Sequence, residues 1–253
     1  MNILAGFADI SLGQLVLVGG MALLASIVGG LAGYGTGALM PLVLVPLVGA
    51  EPVVPIIAIS AIFTNISRFV AYFRYADRRR ALIVIGAAAL TTALGAYGYT
   101  RLTGTGAALV IGSMLILSVP LRRLAKKREV RIGDTGLGAS AVGYGVLVGG
   151  TSGSGVILLS LLMASGLEGA AVIATDAVIS VATGLIKISV FGLAGVVTAQ
   201  VLAFALLIGA IAIPGAFLAR AFVERMPVHI HTAILDAAVM VGGVVMITAA
   251  LRH

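Results

Sequence analysis

The sequence predicts an all-α polytopic membrane protein made of two inverted repeats of about five helical segments each. Short broken helices or hairpins of the two repeats are expected to meet near the membrane midplane. The composition is the first reason: 60% of the 253 residues are hydrophobic and only 10% are charged. A soluble domain has about 25% charged residues, and a fold in water could not cover so much apolar surface with so few charges. Continuous rather than alternating apolar runs argue against a β-barrel.

The second reason is the succession of apolar runs and breaks, which predicts ten helical segments. They cover residues 10–32, 36–49, 52–74, 80–100, 104–121, 137–150, 154–165, 169–190, 194–222 and 230–251. A helix needs about 20 apolar residues to span a bilayer, so the second and seventh segments are too short to cross. The order of lengths in the first five segments returns in the last five, which indicates an internal duplication.

Short matching motifs support this duplication. Gly35-Thr36-Gly37 matches Gly153-Ser154-Gly155, and Arg68 and Lys187 lie at similar depths in the third segment of each half. The chain therefore divides into a first transmembrane repeat (1–121), a basic cytoplasmic linker (122–136) and a second transmembrane repeat (137–253).

The third reason is the placement of the basic residues. One cluster follows the third segment, at residues 74–80, and another follows the fifth, at residues 122–131. Two crossings separate the clusters, so the positive-inside rule places both in the cytoplasm. This placement also accounts for the net charge of +7 without nucleic acid. The corresponding turn of the second half, at Gly192-Leu193, carries no charge, so the two halves are predicted to be inverted, as in many secondary transporters.

Two glycine-rich breaks, at residues 29–37 and 149–155, form the candidate site. Glycines allow backbone N–H groups to approach a ligand, and a helix N-terminus carries a partial positive charge, so such turns suit an anion. Close helix packing is the alternative use of such small residues. The predicted substrate-binding residues are Gly33, Gly35, Thr36, Gly37, Thr64, Asn65, Arg68, Thr151, Ser152, Gly153, Ser154, Gly155 and Lys187.

Charged residues within apolar helices are costly and mark functional sites. Arg68 and Lys187 each continue a polar stripe at helical spacing, although snorkelling to the interface is an alternative for both. Asp176 lies about eight residues inside its helix and is the candidate for coupling to a proton. The alternative roles for Asp176 are to hold a cation in place or to make a structural hydrogen bond.

The sequence resembles the TauE/SafE family of sulfite exporters and anion permeases. The resemblance rests on GLAGYGTGALMPLVL, GGTSGSGVILLSLL, the Ala/Ser-rich third segment and the basic middle linker. It implies a multi-pass carrier in the plasma (inner) membrane of a prokaryote that exports sulfite or organosulfonates by alternating access. Proton coupling and a homodimer are compatible with this interpretation.

Parts of the sequence also fit two other classes of function, a passive channel and a protease. A passive anion channel could use the same site, although duplicated broken helices favour a carrier in which one half rocks against the other. Gly150-Thr151-Ser152-Gly153 fits the GxSG pattern of intramembrane serine proteases, but His229 and His231 are expected at a helix edge, far from Ser152. We therefore predict no enzyme, no cofactor and no metal site, in a chain with no cysteine and three histidines.

Overall fold

The computed structural model describes residues 3–8, 10–32, 35–128, 131–223 and 228–252, and in these ranges the chain is helical, without β-strands. Gly33 lies outside the described residues. The α-helices are α1 (Leu12–Ala32), α2 (Gly35–Val48), α3 (Val53–Tyr72), α4 (Arg78–Tyr99), α5 (Gly104–Arg128), α6 (Asp134–Gly150), α7 (Gly155–Ala164), α8 (Gly169–Leu193), α9 (Ala199–Val223) and α10 (Val228–Ala250). Short 3₁₀ turns, Ile3–Phe7 and Phe73–Tyr75, precede α1 and follow α3. The ten predicted segments are confirmed.

The boundaries differ by three or more residues at four places: the end of α5, the start of α6, the end of α8 and the start of α9. Helix α5 continues to Arg128, so the first part of the predicted linker is helical. Helix α8 ends later than predicted, because Gly195 adopts φ +73° and the N–H of Val196 donates to the carbonyl of Phe191 at 3.1 Å. This left-handed glycine ends the helix, so the turn lies after Leu193 rather than at Gly192-Leu193.

Helix lengths and surfaces fit a membrane. Among the described residues, four helical stretches are long and apolar enough to cross a bilayer, namely Val53–Tyr75, Arg78–Tyr99, Gly104–Leu121 and Gly169–Leu193. Helices α2 and α7 have 14 and 10 residues, which gives lengths of about 21 and 15 Å at about 1.5 Å per residue, too short to cross. Leu82 and Leu90 of α4 are each 70% exposed, as expected for side chains that face lipid.

Glycines set the closest helix contacts, and these contacts give the relative directions of the helices. Helix α6 runs parallel to α4: a Cβ added to Gly138 would contact Ile83, one on Gly145 would contact Ala88, and one on Gly149 would contact Ala96. Helices α1 and α9 are also parallel, with Gly19 beside Ile211 and Ser26 beside Gly215.

The two third helices of the halves, α3 and α8, run antiparallel. Gly184 lies against Ile62 and Ala58, whereas Asp176, two turns earlier in α8, pairs with Arg68, further along α3. Small residues at these contacts let the backbones approach closely, as in other membrane helix pairs.

The hydrophobic core has two clusters, and each contains helices from both halves of the sequence. One joins α4, α6, α7 and α8. The other joins α1, α2, α3, α5, α9 and α10, with the C-terminal ends of α4 and α8 and with Val156 of α7. The first and second halves of the chain are therefore interleaved and do not form separate bodies.

Matching turns of the two halves lie at opposite ends of α4. Gly49 and Gly166 have φ of +81° and +89°, and each begins the short link to the third helix of its half. The carbonyl of Ala50 accepts a hydrogen bond from Tyr99 Oη at 2.7 Å, at the C-terminal end of α4. The carbonyl of Ser165 accepts one from Arg80 Nη2 at 2.7 Å, at its N-terminal end.

The N-terminal end of α4 carries the basic cluster that was predicted to be cytoplasmic. Asp77 is the N-cap of α4 and accepts the backbone N–H of Arg80 at 2.9 Å. This hydrogen bond, together with the Arg80 guanidinium, lowers the pKa of the Asp77 carboxyl below its ordinary value, despite partial burial. Arg79 pairs with Asp134 at 2.5 Å, so the N-termini of α4 and α6 lie at the same end of the molecule.

Candidate functional site

The N-terminal turns of the short helices α2 and α7 contact each other inside the protein. Ser152 Oγ donates a hydrogen bond to the carbonyl oxygen of Gly37 at 2.6 Å. A Cβ on Gly37 would lie 3.0 Å from the backbone nitrogen of Gly153, so the two backbones touch. Gly153 has φ +84°, a backbone conformation that residues with a Cβ rarely adopt. The predicted meeting of the two glycine-rich breaks is thus confirmed for the described residues.

The hydroxyl groups of the two turns are buried. Thr36 lies at the second position of α2, and Thr151, Ser152 and Ser154 lie between α6 and α7. Ser154 is the N-cap residue of α7, yet its side chain makes no capping hydrogen bond. A serine at this position ordinarily accepts a backbone N–H of the first turn. Among the described residues, the Ser154 hydroxyl therefore does not cap α7.

Lys187 reaches the same break from α8. Its side chain is buried, with 7% exposure, and its Nζ donates to the carbonyl oxygen of Thr151 at 3.3 Å. Within the described part of the chain no carboxylate pairs with it. An ammonium group has three donors, and the Thr151 carbonyl takes one. Burying a charge is costly unless it is paired, and the described residues provide no counterion for this lysine.

Arg68 and Asp176 form an ion pair between α3 and α8. Arg68 Nη2 donates to Asp176 Oδ2, and Arg68 Nη1 donates to Asn65 Oδ1 at 3.1 Å. The side chains of Arg68 and Asp176 are 10% and 1% exposed, so this pair is shielded from solvent. Asp176 therefore holds a cation in place, one of the roles that the sequence left open. Its proton-coupling role stays a prediction.

The polar stripes of α3 and α8 are at least half-buried, and much of their hydrogen bonding is local. Ser60 and Thr64 donate to carbonyls of their own helix, at Ile57 and Ala61. Thr183 Oγ1 donates to Ile179 at 3.0 Å. These hydroxyl groups donate their hydrogen bonds to carbonyls of their own helix. Their oxygens can still accept a hydrogen bond from a neighbouring group.

Tyr144 was not predicted from the sequence. It is buried at 2% exposure on α6, and its hydroxyl lies near the Thr183 side chain of α8. It also lies close enough to Asp176 to interact with that carboxylate. A lone tyrosine in a glycine-rich helix, seven residues before Thr151, was the signal available in the sequence.

The described side chains at the breaks are hydroxyl groups and the ammonium group of Lys187. No group of three His, Cys, Asp or Glu that could hold a metal occurs in the part of the chain that the structure describes. Ser152 is bonded to a backbone carbonyl, which is not a base. The side chains of His229 and His231 lie outside the described residues.

Comparison with known proteins identifies the family. Searches of the curated proteins and of the solved structures found no match. A family model described as "Sulfite exporter TauE/SafE" matches residues 18–246, which is nearly the whole chain and includes both glycine-rich breaks. The chain therefore belongs to the sulfite exporter TauE/SafE family, whose members are membrane transporters and not enzymes.

Proposed function

We propose that this protein is a secondary transporter that exports small sulfur-containing anions, such as sulfite or organosulfonates, across the inner membrane of a prokaryote. The observation that carries the proposal is Lys187, a buried ammonium group beside the break between α6 and α7, to which the described residues offer no carboxylate partner. A negatively charged substrate would supply its missing counterion. Membership of the TauE/SafE family supports the same class of substrate.

The substrate would lie between the turns of α2 and α7. The N-terminus of each short helix offers backbone N–H groups and a partial positive charge. Ser154 adds a hydroxyl that makes no capping hydrogen bond, and Lys187 adds up to two further N–H donors. Three oxygens of a sulfite or sulfonate group could accept all of these hydrogen bonds at once. Thr36, Thr151 and Ser152 line the same turns.

Alternating access fits the arrangement of the helices. Matching turns at opposite ends of α4 support inverted repeats. In transporters with such repeats, the two repeats exchange conformations when the site changes from facing one side of the membrane to facing the other. Because the halves are interleaved, the moving bodies would be the α4–α6–α7–α8 cluster and the larger cluster around α3 and α9. The substrate would lie between these bodies, since α2 belongs to one and α7 largely to the other.

Reconstitution in liposomes tests the proposal. Vesicles preloaded with unlabelled sulfite should accelerate the entry of labelled sulfite, because only a carrier exchanges substrate across the membrane. Lys187→Met should abolish this exchange, whereas Lys187→Arg should retain part of it. Saturable flux without acceleration by internal substrate would favour a passive channel. Normal exchange in folded Lys187→Met would remove Lys187 from the site.

A further inference from the structure

We propose that the site selects anions that carry a single negative charge, such as hydrogen sulfite or a monosulfonate, over doubly charged anions of similar size. This inference rests on the proposed function and adds the ionic state of the substrate. It follows from the charges that the interior contains, from their pairing and from their separation along α8.

The buried charges of the described chain sum to one positive charge. Asp176 and Lys187 are the buried charged residues, and Arg68 is only slightly more exposed. Arg68 and Asp176 neutralise each other in an ion pair. Lys187 therefore provides the single unbalanced charge in this region.

The Arg68–Asp176 ion pair supplies no second charge to Lys187 as long as it is intact. Asp176 and Lys187 are 11 residues apart on α8, about 16 Å at about 1.5 Å per residue. Eleven residues are close to three turns, so both lie on the same face of the helix at different depths. At that distance the fields of Arg68 and Asp176 largely cancel at Lys187, because they are opposite charges in contact.

Comparison of the two halves shows why Lys187 has no acid of its own. The offset of 119 residues that relates Arg68 to Lys187 also relates Ile57 to Asp176. Ile57 is buried with 6% exposure. The first half thus has an isoleucine at the position whose counterpart in the second half neutralises the cation. One cation of the pair is balanced by the protein and the other is left for a ligand.

The remaining groups at the site bind an anion without adding a full charge. Helix N-termini contribute partial charges, and serine and threonine hydroxyls contribute dipoles. A singly charged anion would leave the interior neutral. A second negative charge would be buried without a partner in a region of low dielectric constant, where an unpaired charge is expensive.

Competition between two probes of fixed charge tests the inference on the purified full-length protein. Methanesulfonate carries one negative charge and sulfate carries two, and both have tetrahedral sulfur. Each is used to displace labelled methanesulfonate from the wild type. We expect methanesulfonate to compete at least about tenfold more strongly than sulfate. Equal or stronger competition by sulfate would overturn the inference.

Variants that change the charge of the site separate the effect of anion charge from that of anion size. The same two anions are compared in every variant, so their difference in size stays constant. Asp176→Asn leaves the Arg68 charge unbalanced at about 16 Å from Lys187, so sulfate should gain about fivefold relative to methanesulfonate. Ile57→Asp should pair with Lys187 and abolish methanesulfonate binding, whereas the matched control Ile57→Asn should retain it. If the ratio of sulfate to methanesulfonate competition is unchanged in folded Asp176→Asn, the inference is contradicted. If Ile57→Asp does not fold, the Asp176→Asn result alone decides.

Failure of the inference can be distinguished from failure of the proposed function. Binding of both anions that depends on Lys187 but ignores their charge would overturn only the charge selection. Absence of binding of either anion to folded wild-type protein would overturn the proposed function as well.

Discussion

Replacement of Gly149 by alanine should weaken the contact between α4 and α6 and, with it, the support of the substrate site. A Cβ on Gly149 would contact the Thr92 carbonyl oxygen and lie 2.8 Å from the backbone nitrogen of Ala96. Backbone atoms cannot rotate away as a side chain can, so the helices must separate. Overpacking of this kind costs about 1–3 kcal/mol.

Gly143→Ala is the matched control. Gly143 lies on the same helix, and a Cβ there would find no atom within 4 Å. Both variants make the same change in the same helix, so the difference between them isolates the packing cost of about 1–3 kcal/mol, a factor of roughly five or more in the unfolding equilibrium.

Unfolding of the purified protein by increasing SDS in mixed micelles, followed by circular dichroism, would measure this difference. A second readout is transport, because Gly149 is two residues before Thr151, whose carbonyl accepts the Lys187 hydrogen bond. We expect Gly149→Ala to lose both stability and transport while Gly143→Ala keeps both. Equal stability of the two variants would refute the claim that α4 and α6 are packed to backbone contact.

Three further predictions concern the acidic residues and their partners. Arg68→Ala should destabilise the protein by about 3–5 kcal/mol because it leaves a buried carboxylate without its cation, and adding Asp176→Ala should recover part of this loss in the same SDS titration. Asp176→Asn should flatten the pH dependence of sulfite flux if this carboxyl carries the coupling proton, and an unchanged pH profile in liposomes would exclude that role. Asp77→Ala should cost about 0.5–2 kcal/mol through loss of the helix cap, with Asp77→Asn milder. Since the folded pKa of Asp77 is lowered, its charge stabilises the protein above the unfolded pKa and this contribution is lost as pH falls through the folded pKa. Wild type and Asp77→Asn should therefore converge in melting temperature in acid.

The sequence predicted the helices well because each apolar run has to satisfy its backbone hydrogen bonds within itself in a membrane. Breaks such as Gly49 and Gly166 interrupt these runs and so mark the ends of helices. The pairing of helices was not predictable in the same way. It depends on which small residues face one another, as Gly149 faces Thr92, and such contacts leave no periodic pattern in one sequence.

For the site, the sequence located the two breaks and the three charged side chains but not their partners. Arg68 was expected to face the anion, and the structure pairs it with Asp176, which lies 108 residues away in the chain. Lys187 looked equivalent to Arg68 by position. Arg68 has a carboxylate partner because α3 and α8 pack together, whereas the matching position for Lys187 is occupied by Ile57. A search for local sequence motifs does not include contacts between distant helices.

The interleaving of the two halves bears on how such a chain could have arisen. If a gene duplication produced it, as the matching breaks suggest, the ancestral polypeptide had a first helix that packs against the fourth helix of another copy, as α1 now packs against α9 and α6 against α4. That ancestor would have been an antiparallel dimer with exchanged helices, unable to bury its own surfaces as a monomer. Fusion of the two copies then made the exchange permanent. It would also have freed positions such as Ile57 and Asp176 to diverge, so that a carboxylate stands beside Arg68 and an apolar side chain at the matching position of the first half.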